Sequence, residues 1–255
     1  MRSATPSTID RKALRSLFTT ETRLRAVVDC VLEGHLGEID VDDVSRPSAA
    51  CLRLGCYAIF AGDAASKGAS ALLARSPAPI ELIVPRCAAW SALVRMTLGD
   101  RLKARPMQAY VATQINHERL QSLAEAIPSG FQLRSIDATL AAQLGERLRP
   151  SGMDVMADPR DFAIRSDGAG AVVGDRLVCA ATNYAFAADA IELAIATDAD
   201  YRGQGLATCV AASYTLKCLE RGLMPHWNAS NPISKRLALR LGYRPTETVE
   251  VQYLA

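Results

Sequence analysis

Arg202-Gly203-Gln204-Gly205-Leu206-Ala207-Thr208 is the stretch of this 255-residue chain whose residue types and spacing invite chemistry. A strand-like run, Ala190 to Thr197, leads into it, and helical spacing starts directly after it. Cys209, Ala212, Leu216 and Leu219 recur at intervals of 3, 4 and 3, while Ser213, Lys217, Glu220 and Arg221 take the other side. Gly222 is a natural stop. The helix is therefore expected to begin close to Gly205 or Leu206. Its first backbone N–H groups have no internal acceptor, and the helix dipole makes that end partly positive. Glycines without a Cβ let a ligand's oxygens approach those amides, so the turn is suited to a phosphate or pyrophosphate.

Two common phosphate loops do not fit. A P-loop ends in Gly-Lys-Ser/Thr, and a dinucleotide fingerprint needs a third glycine where Thr208 stands. "GAGAVVG" at 168–174 looks like a nucleotide loop but feeds a hairpin pattern. "HERLQ" at 117–121 begins like a zinc-protease motif yet has Gln121 in place of the second histidine ligand, and no metal site is expected.

The strand ahead of the glycines alternates. Ile191, Leu193 and Ile195 point one way; Glu192, Ala194 and Ala196 point the other, which leaves room for a small ligand beside a carboxylate. Glu192 could equally make a structural ion pair. Further on, Asn231-Pro232 has the form of a helix cap followed by proline, with Ile233, Leu237 and Leu241 as its apolar face. Asn231 thus has a structural explanation beside any ligand contact, and Asn228 and Ser234 are weaker candidates of the same kind.

The form Arg/Gln-x-x-Gly-x-Gly/Ala in Arg202–Ala207, the strand ending "IAT" and the corner Leu241-Gly242-Tyr243 resemble the GCN5-related N-acetyltransferase (GNAT) superfamily. "PHWNASNPISKRLALRLGYRP" is particularly similar to the subgroup that includes the zwittermicin-resistance acetyltransferase. The resemblance covers about residues 160 to 255 and is thin before 130.

It implies a mixed, largely antiparallel sheet flanked by helices, with acetyl-CoA as acetyl donor and an amine, of a small molecule, as acceptor. By the same resemblance, main-chain groups of Ile195, Ala196 and Thr197 pair with the pantetheine arm. Arg202, Gly203, Gln204, Gly205, Leu206, Ala207 and Thr208 hold the pyrophosphate, and Asn228, Asn231 and Ser234 add cofactor contacts. Glu192 takes the general-base role, usually through water. An amine of pKa ~10.4 is almost wholly protonated at pH 7, and removing its proton costs roughly 4–5 kcal/mol.

One position departs from the family. The slot for its tyrosine general acid, counted back from Tyr243, is Ala238. The proton for the departing thiolate must then come from Ser234, His226, Tyr214 or water. None of the seven cysteines has an evident base partner, so direct attack in a ternary complex is expected. The rivals are a non-catalytic acyl-CoA-binding sensor and a nucleotide-binding regulator.

The elements that must position these residues read as alternating strands and helices. In the first half, helical spacing marks Leu24 to His35, with Thr20 or Thr22 as cap. One strand "CLRLGCYAIFAG", the helix "SKGASALLARS", the strand "PIELIVP", the helix "RCAAWSALVRMTLGDRL" and the strand "MQAYVATQ" follow. "NHERLQSLAEAIPSG" closes that half at Pro128-Ser129-Gly130, giving domains 1–128 and 129–255. The second half adds the strand "FQLRSI", a helix capped by Asp137, the loop-like "PSGMDVMADPRDF" and a hairpin "GAGAVVG…LVCAATNYAFA". Ile80–Val84 faintly echoes Ile191–Ile195, but no glycine turn follows it. The first domain is therefore expected to bind no cofactor and to shape the acceptor site or a homodimer contact.

Composition sets the outer bounds. Apolar residues make up 49% and charged residues 22%, normal for a globular chain. Lys and Arg number 29 against 27 Asp and Glu, which supports neither a nucleic-acid surface nor a polybasic membrane contact. No CxxC occurs, no apolar run reaches the ~18 residues of a membrane span, and no secretion signal is read at the start. A cytoplasmic protein with reduced thiols is expected.

Overall fold

The computed structural model describes residues 10–76, 78–148 and 158–254. In chain order its elements are α1 (Arg11–Leu17), α2 (Arg25–Leu32), β1 (Glu38–Val41), β2 (Ala49–Leu54), β3 (Tyr57–Gly62) and α3 (Ala69–Ala74). Then follow β4 (Ile80–Ile83), α4 (Ala88–Leu98), β5 (Leu102–Val111), α5 (His117–Glu125), β6 (Gln132–Ser135), α6 (Ala138–Arg147) and α7 (Pro159–Arg165). The last are β7 (Gly168–Val173), β8 (Arg176–Phe186), β9 (Ala190–Thr197), α8 (Leu206–Glu220), β10 (Met224–Ala229), α9 (Pro232–Leu241) and β11 (Arg244–Leu254). Most of the expected loop "PSGMDVMADPRDF" lies outside the described residues. The fold is mixed α/β, with a largely antiparallel sheet flanked by helices. Among the described residues no helix is long and apolar enough to cross a membrane.

Two compact units emerge: Met1–Met107 with Thr248–Ala255, and Gln108–Glu247. The sequence places one boundary at 128/129, whereas the compact division falls earlier and takes the chain's end into the first unit.

In the first unit β2 pairs antiparallel with β1 and β3, β3 runs parallel to β4, and β11 is antiparallel to β4. The single strand expected over "CLRLGCYAIFAG" is in fact a hairpin, with Gly55 at φ 52° in its turn. Apolar residues on both sides of Gly55-Cys56 mask the break in any reading of periodicity. The core gathers Phe60, Leu72, Leu82, Trp90 and Val94. Trp90 buries its indole and donates its N–H to the Gly62 carbonyl at 2.8 Å. Helix α2 has Leu24 at its N-cap, not a threonine; the Glu21 carboxylate accepts from the Arg23 and Leu24 amides instead.

In the second unit β6 to β9 form an antiparallel meander, β10 is parallel to β9, and β10 is antiparallel to β5. The expected Asp137 cap is present, its carboxylate accepting from the Leu140 amide at 2.9 Å. Helix α8 is buried on two sides. Leu206, Val210, Tyr214 and Cys218 pack with β7–β9 residues, while Ala211 and Ala212 pack with Leu120 of α5 and with α9. The spacing of Cys209 to Leu219 by itself shows one apolar face; the i, i+4 stripe from Leu206 to Cys218 is the second.

Candidate active site

The chain enters the glycine turn from a braced corner. Asp198, 4% exposed, follows β9 and accepts from the Asp200 amide at 3.1 Å and from Arg176 Nη2 at 2.7 Å. The Arg176 guanidinium lies 5.2 Å over the Tyr201 ring, and Tyr201 meets Phe131 edge-on at 6.0 Å. Arg202 then donates through Nε to the Thr197 carbonyl at 3.3 Å. The sequence gives no sign of the Arg176 and Phe131 parts of this bracing, because partners so distant along the chain leave no local pattern.

Gly203 and Gly205 have φ of 79° and 84°, and a Cβ on either would meet nothing within 4 Å. The glycines are therefore required by conformation, and the space above them is open. Gly205 is the N-cap of α8, and its carbonyl already receives the Thr208 and Cys209 amides at 2.9 and 3.4 Å. The amides of Leu206 and Ala207 belong to the first turn, where the helix itself supplies no acceptor. An open, positively polarised helix end fits a pyrophosphate. The Thr208 amide is spent within the helix, while Leu206 buries its side chain in the core and has only its amide to offer.

The approach strand differs from its neighbours. Parallel pairing between β9 and β10 joins Ala190 to Met224, Ile191 to Pro225 and Glu192 to His226. Trp227, Asn228 and Ala229 pair with β5 on the other side. From Leu193 to Thr197 the β10-facing edge of β9 has left that register, and Ile195, Ala196 and Thr197 lie on this diverging stretch. Such an edge offers main-chain donors and acceptors to an extended ligand.

Glu192 stands at the last paired position. The room expected beside it is not seen, since Glu192 is 3% exposed and Ala194 and Ala196 are also buried. Its carboxylate is held by Asn228, whose Nδ2 donates to both oxygens at 3.1 and 3.2 Å. Burial pushes the Glu192 carboxyl up to about 8, against the pull of the Asn228 side-chain and backbone donors. A register shift in β8 between Asn183 and Ala185 lies opposite Glu192 and Leu193, and such bulges re-aim side chains.

The remaining candidates sit around α9. Asn231 is its N-cap, accepting from the Ser234 amide at 2.9 Å. Ser234 Oγ accepts the Trp227 indole N–H at 2.8 Å, which leaves the hydroxyl proton directed elsewhere. Ala238, in the family's tyrosine slot, is fully buried beside Trp227, Leu241 and Tyr243. Ile233 is 71% exposed and outside the apolar face assigned to it; Leu237, Ala238 and Leu241 make that face instead. Tyr214 is buried in the core, which raises its phenol above the ordinary range, so it is a poor proton donor. Burial pushes the Cys51, Cys179 and Cys218 thiols up to about 12, unfit for nucleophiles at neutral pH.

A cavity of about 370 Å³ lies in the first unit, between the end of β4 and the start of α4, with Arg23, Arg86, Ser91 and Gln252 among its lining residues. None of the candidate site residues lines it.

The model of the GNAT acetyltransferase family matches residues 15–251, and the chain belongs to that family. An uncharacterized N-acetyltransferase of Bacillus subtilis strain 168, YdfB, is 25% identical over 166 residues, 64% of this chain. The chain spans 62% of the length of that curated relative. A GCN5-related N-acetyltransferase-like protein from Streptococcus suis 89/1591 superposes with a TM-score of 0.83 at 28% identity, covering 96% of this chain and 98% of that one. A tandem GNAT protein from the clavulanic acid biosynthesis pathway shares the fold at TM-score 0.61 and 14% identity, over 99% and 96% of the two chains.

Proposed function

We propose that this protein is an N-acetyltransferase that moves acetyl from acetyl-CoA to a primary amine of a small molecule, by direct attack in a ternary complex. The observation that carries the reading is the open Gly203–Gly205 turn at the N-terminus of α8, reached from a strand edge that has parted from its neighbour. Acetyl-CoA supplies an activated acetyl thioester. Ile195 to Thr197 offer main-chain partners to its arm, and Arg202 to Thr208 receive its pyrophosphate. Asn228 and Asn231 direct their side chains to Glu192 and to the α9 cap, which favours structural roles for both over cofactor contacts. The placement beside the zwittermicin-resistance acetyltransferase rests on the segment from Pro225 to Pro245.

Glu192 is the base in this reading. A group near pH 8 lies closer to an alkyl ammonium of pKa ~10.4 than an ordinary carboxyl does, so proton transfer is less uphill. Ser234, His226 or water returns a proton to the thiolate, since Ala238 cannot and the Tyr214 phenol is buried and raised. The likeness to a tandem GNAT protein suggests that the first unit is a second, related half without the glycine turn, which fits the faint echo between β4 and β9.

The buried Ala238 favours one rival, an acyl-CoA-binding sensor that performs no transfer. The two part on a single assay: release of free CoA thiol against a panel of primary amines. Amine-dependent release supports the enzyme; CoA binding with no release from any amine supports the sensor.

A further inference from the structure

We infer that Asn228 is the positioning residue for Glu192, a neutral clasp that fixes the carboxylate at the parting of β9 and β10 while leaving its charge free to change. The inference rests on the proposed base role of Glu192 and adds the means by which that role is kept available. Side chains alternate along β10, so Asn228 and His226 share the face opposite Trp227, the face Glu192 meets. Asn228 lies two residues past the last pair of the β9–β10 ladder. There the Glu192 carboxylate crosses to the neighbouring strand, accepting from the Asn228 amide through both oxygens.

The first unit provides the contrast. Glu81, at the matching place in the echo of the two strands, is ion-paired with Arg105, whose guanidinium also lies 5.6 Å over the Tyr253 ring. Burial raises the Glu81 carboxyl as well, but there a cationic partner favours the charged form and pulls against that rise. A primary amide supplies geometry without a counter-charge, so Glu192 can take a proton and give it up in place. The titratable groups near the pair are His226 on the same strand face, Tyr243 after α9, which feels the Glu192 charge, and Tyr184 in the β8 bulge. Any of the three can modulate the titration, so the Glu192 carboxyl is the group to observe directly.

The test is a carbon-13 NMR titration of the glutamate carboxyls in the full chain, with the Glu192 signal assigned by its loss in E192Q. Removing the Asn228 amide takes away donors that favour the charged form, so N228A should titrate at higher pH than the wild type, by about one unit. The acid limb of kcat/KM should move by the same amount. Adding H226Q to both proteins should leave the difference between wild type and N228A in place. A Glu192 midpoint unchanged in folded N228A overturns the inference; if N228A does not fold, N228S is titrated to the same criterion. A midpoint that moves while the activity limb stays put upholds the clasp and removes Glu192 as base.

Discussion

With Glu192 as the proposed base, stability and activity should pull in opposite directions there as pH changes. Its folded value is about 8 against an ordinary 4.5, because burial disfavours the charged form. The folded state therefore binds the proton more tightly than the unfolded state. The stabilisation from protonated Glu192 is complete below about 4.5 and is lost as pH rises through about 8. Glu192→Gln keeps the neutral shape at every pH. Its Tm should match the wild type near pH 5 and exceed it at pH 9 by several degrees, on the scale of roughly 2–4 °C per kcal/mol for a chain of this size. A Tm difference that is flat from pH 5 to 9 would show that Glu192 titrates normally. Turnover should behave the other way, falling ~10²–10⁴-fold in the variant where the wild-type carboxylate is formed, with CoA affinity kept. The deficit should shrink towards the amine's own pKa, where solution supplies the free base.

Among the elements, α9 separates two roles that its sequence leaves open. Asn231 precedes Pro232 and its side chain caps the helix, so Asn231→Ala should cost about 1 kcal/mol of stability while CoA affinity stays put. Calorimetry showing a tenfold weaker CoA complex in that variant would instead make Asn231 a cofactor ligand. Local pattern is enough to read such features: the Asp137 and Asn231 caps, the β7–β8 hairpin and the start of α8 all follow from residue type and spacing. The misreadings come from longer range. The Gly55-Cys56 turn is hidden between two apolar strands, and Ile233 is exposed because α9 packs through Leu237, Ala238 and Leu241. Helix α8 is buried on two faces because the sheet covers Leu206 to Cys218 while α5 and α9 cover Ala211 and Ala212. Likewise Glu192 is legible as a carboxylate among alanines, but not its burial or its grip by Asn228, thirty-six residues away.

For the molecule as a whole, every residue assigned to the donor and base site lies in the unit Gln108–Glu247. A core lesion in the other unit should accordingly lower stability without touching the donor site. Trp90→Ala removes a fully buried indole and its bond to Gly62, a loss of about 3–5 kcal/mol. At a temperature where that variant is still folded, its CoA affinity should stay within about twofold of wild type, well under the tenfold that 1.4 kcal/mol represents. A larger change would make the first unit part of the cofactor site. The claim on which the rest depends is that acetyl-CoA docks at the glycine turn of α8. Isothermal titration of acetyl-CoA into the wild type and into Gly205→Asp tests it most directly, with melting curves to show that both are folded. Aspartate places a side chain and a negative charge beside the first-turn amides. We predict one-to-one binding by the wild type and at least about tenfold weaker binding by the variant, while equal affinity in the two proteins would contradict the account.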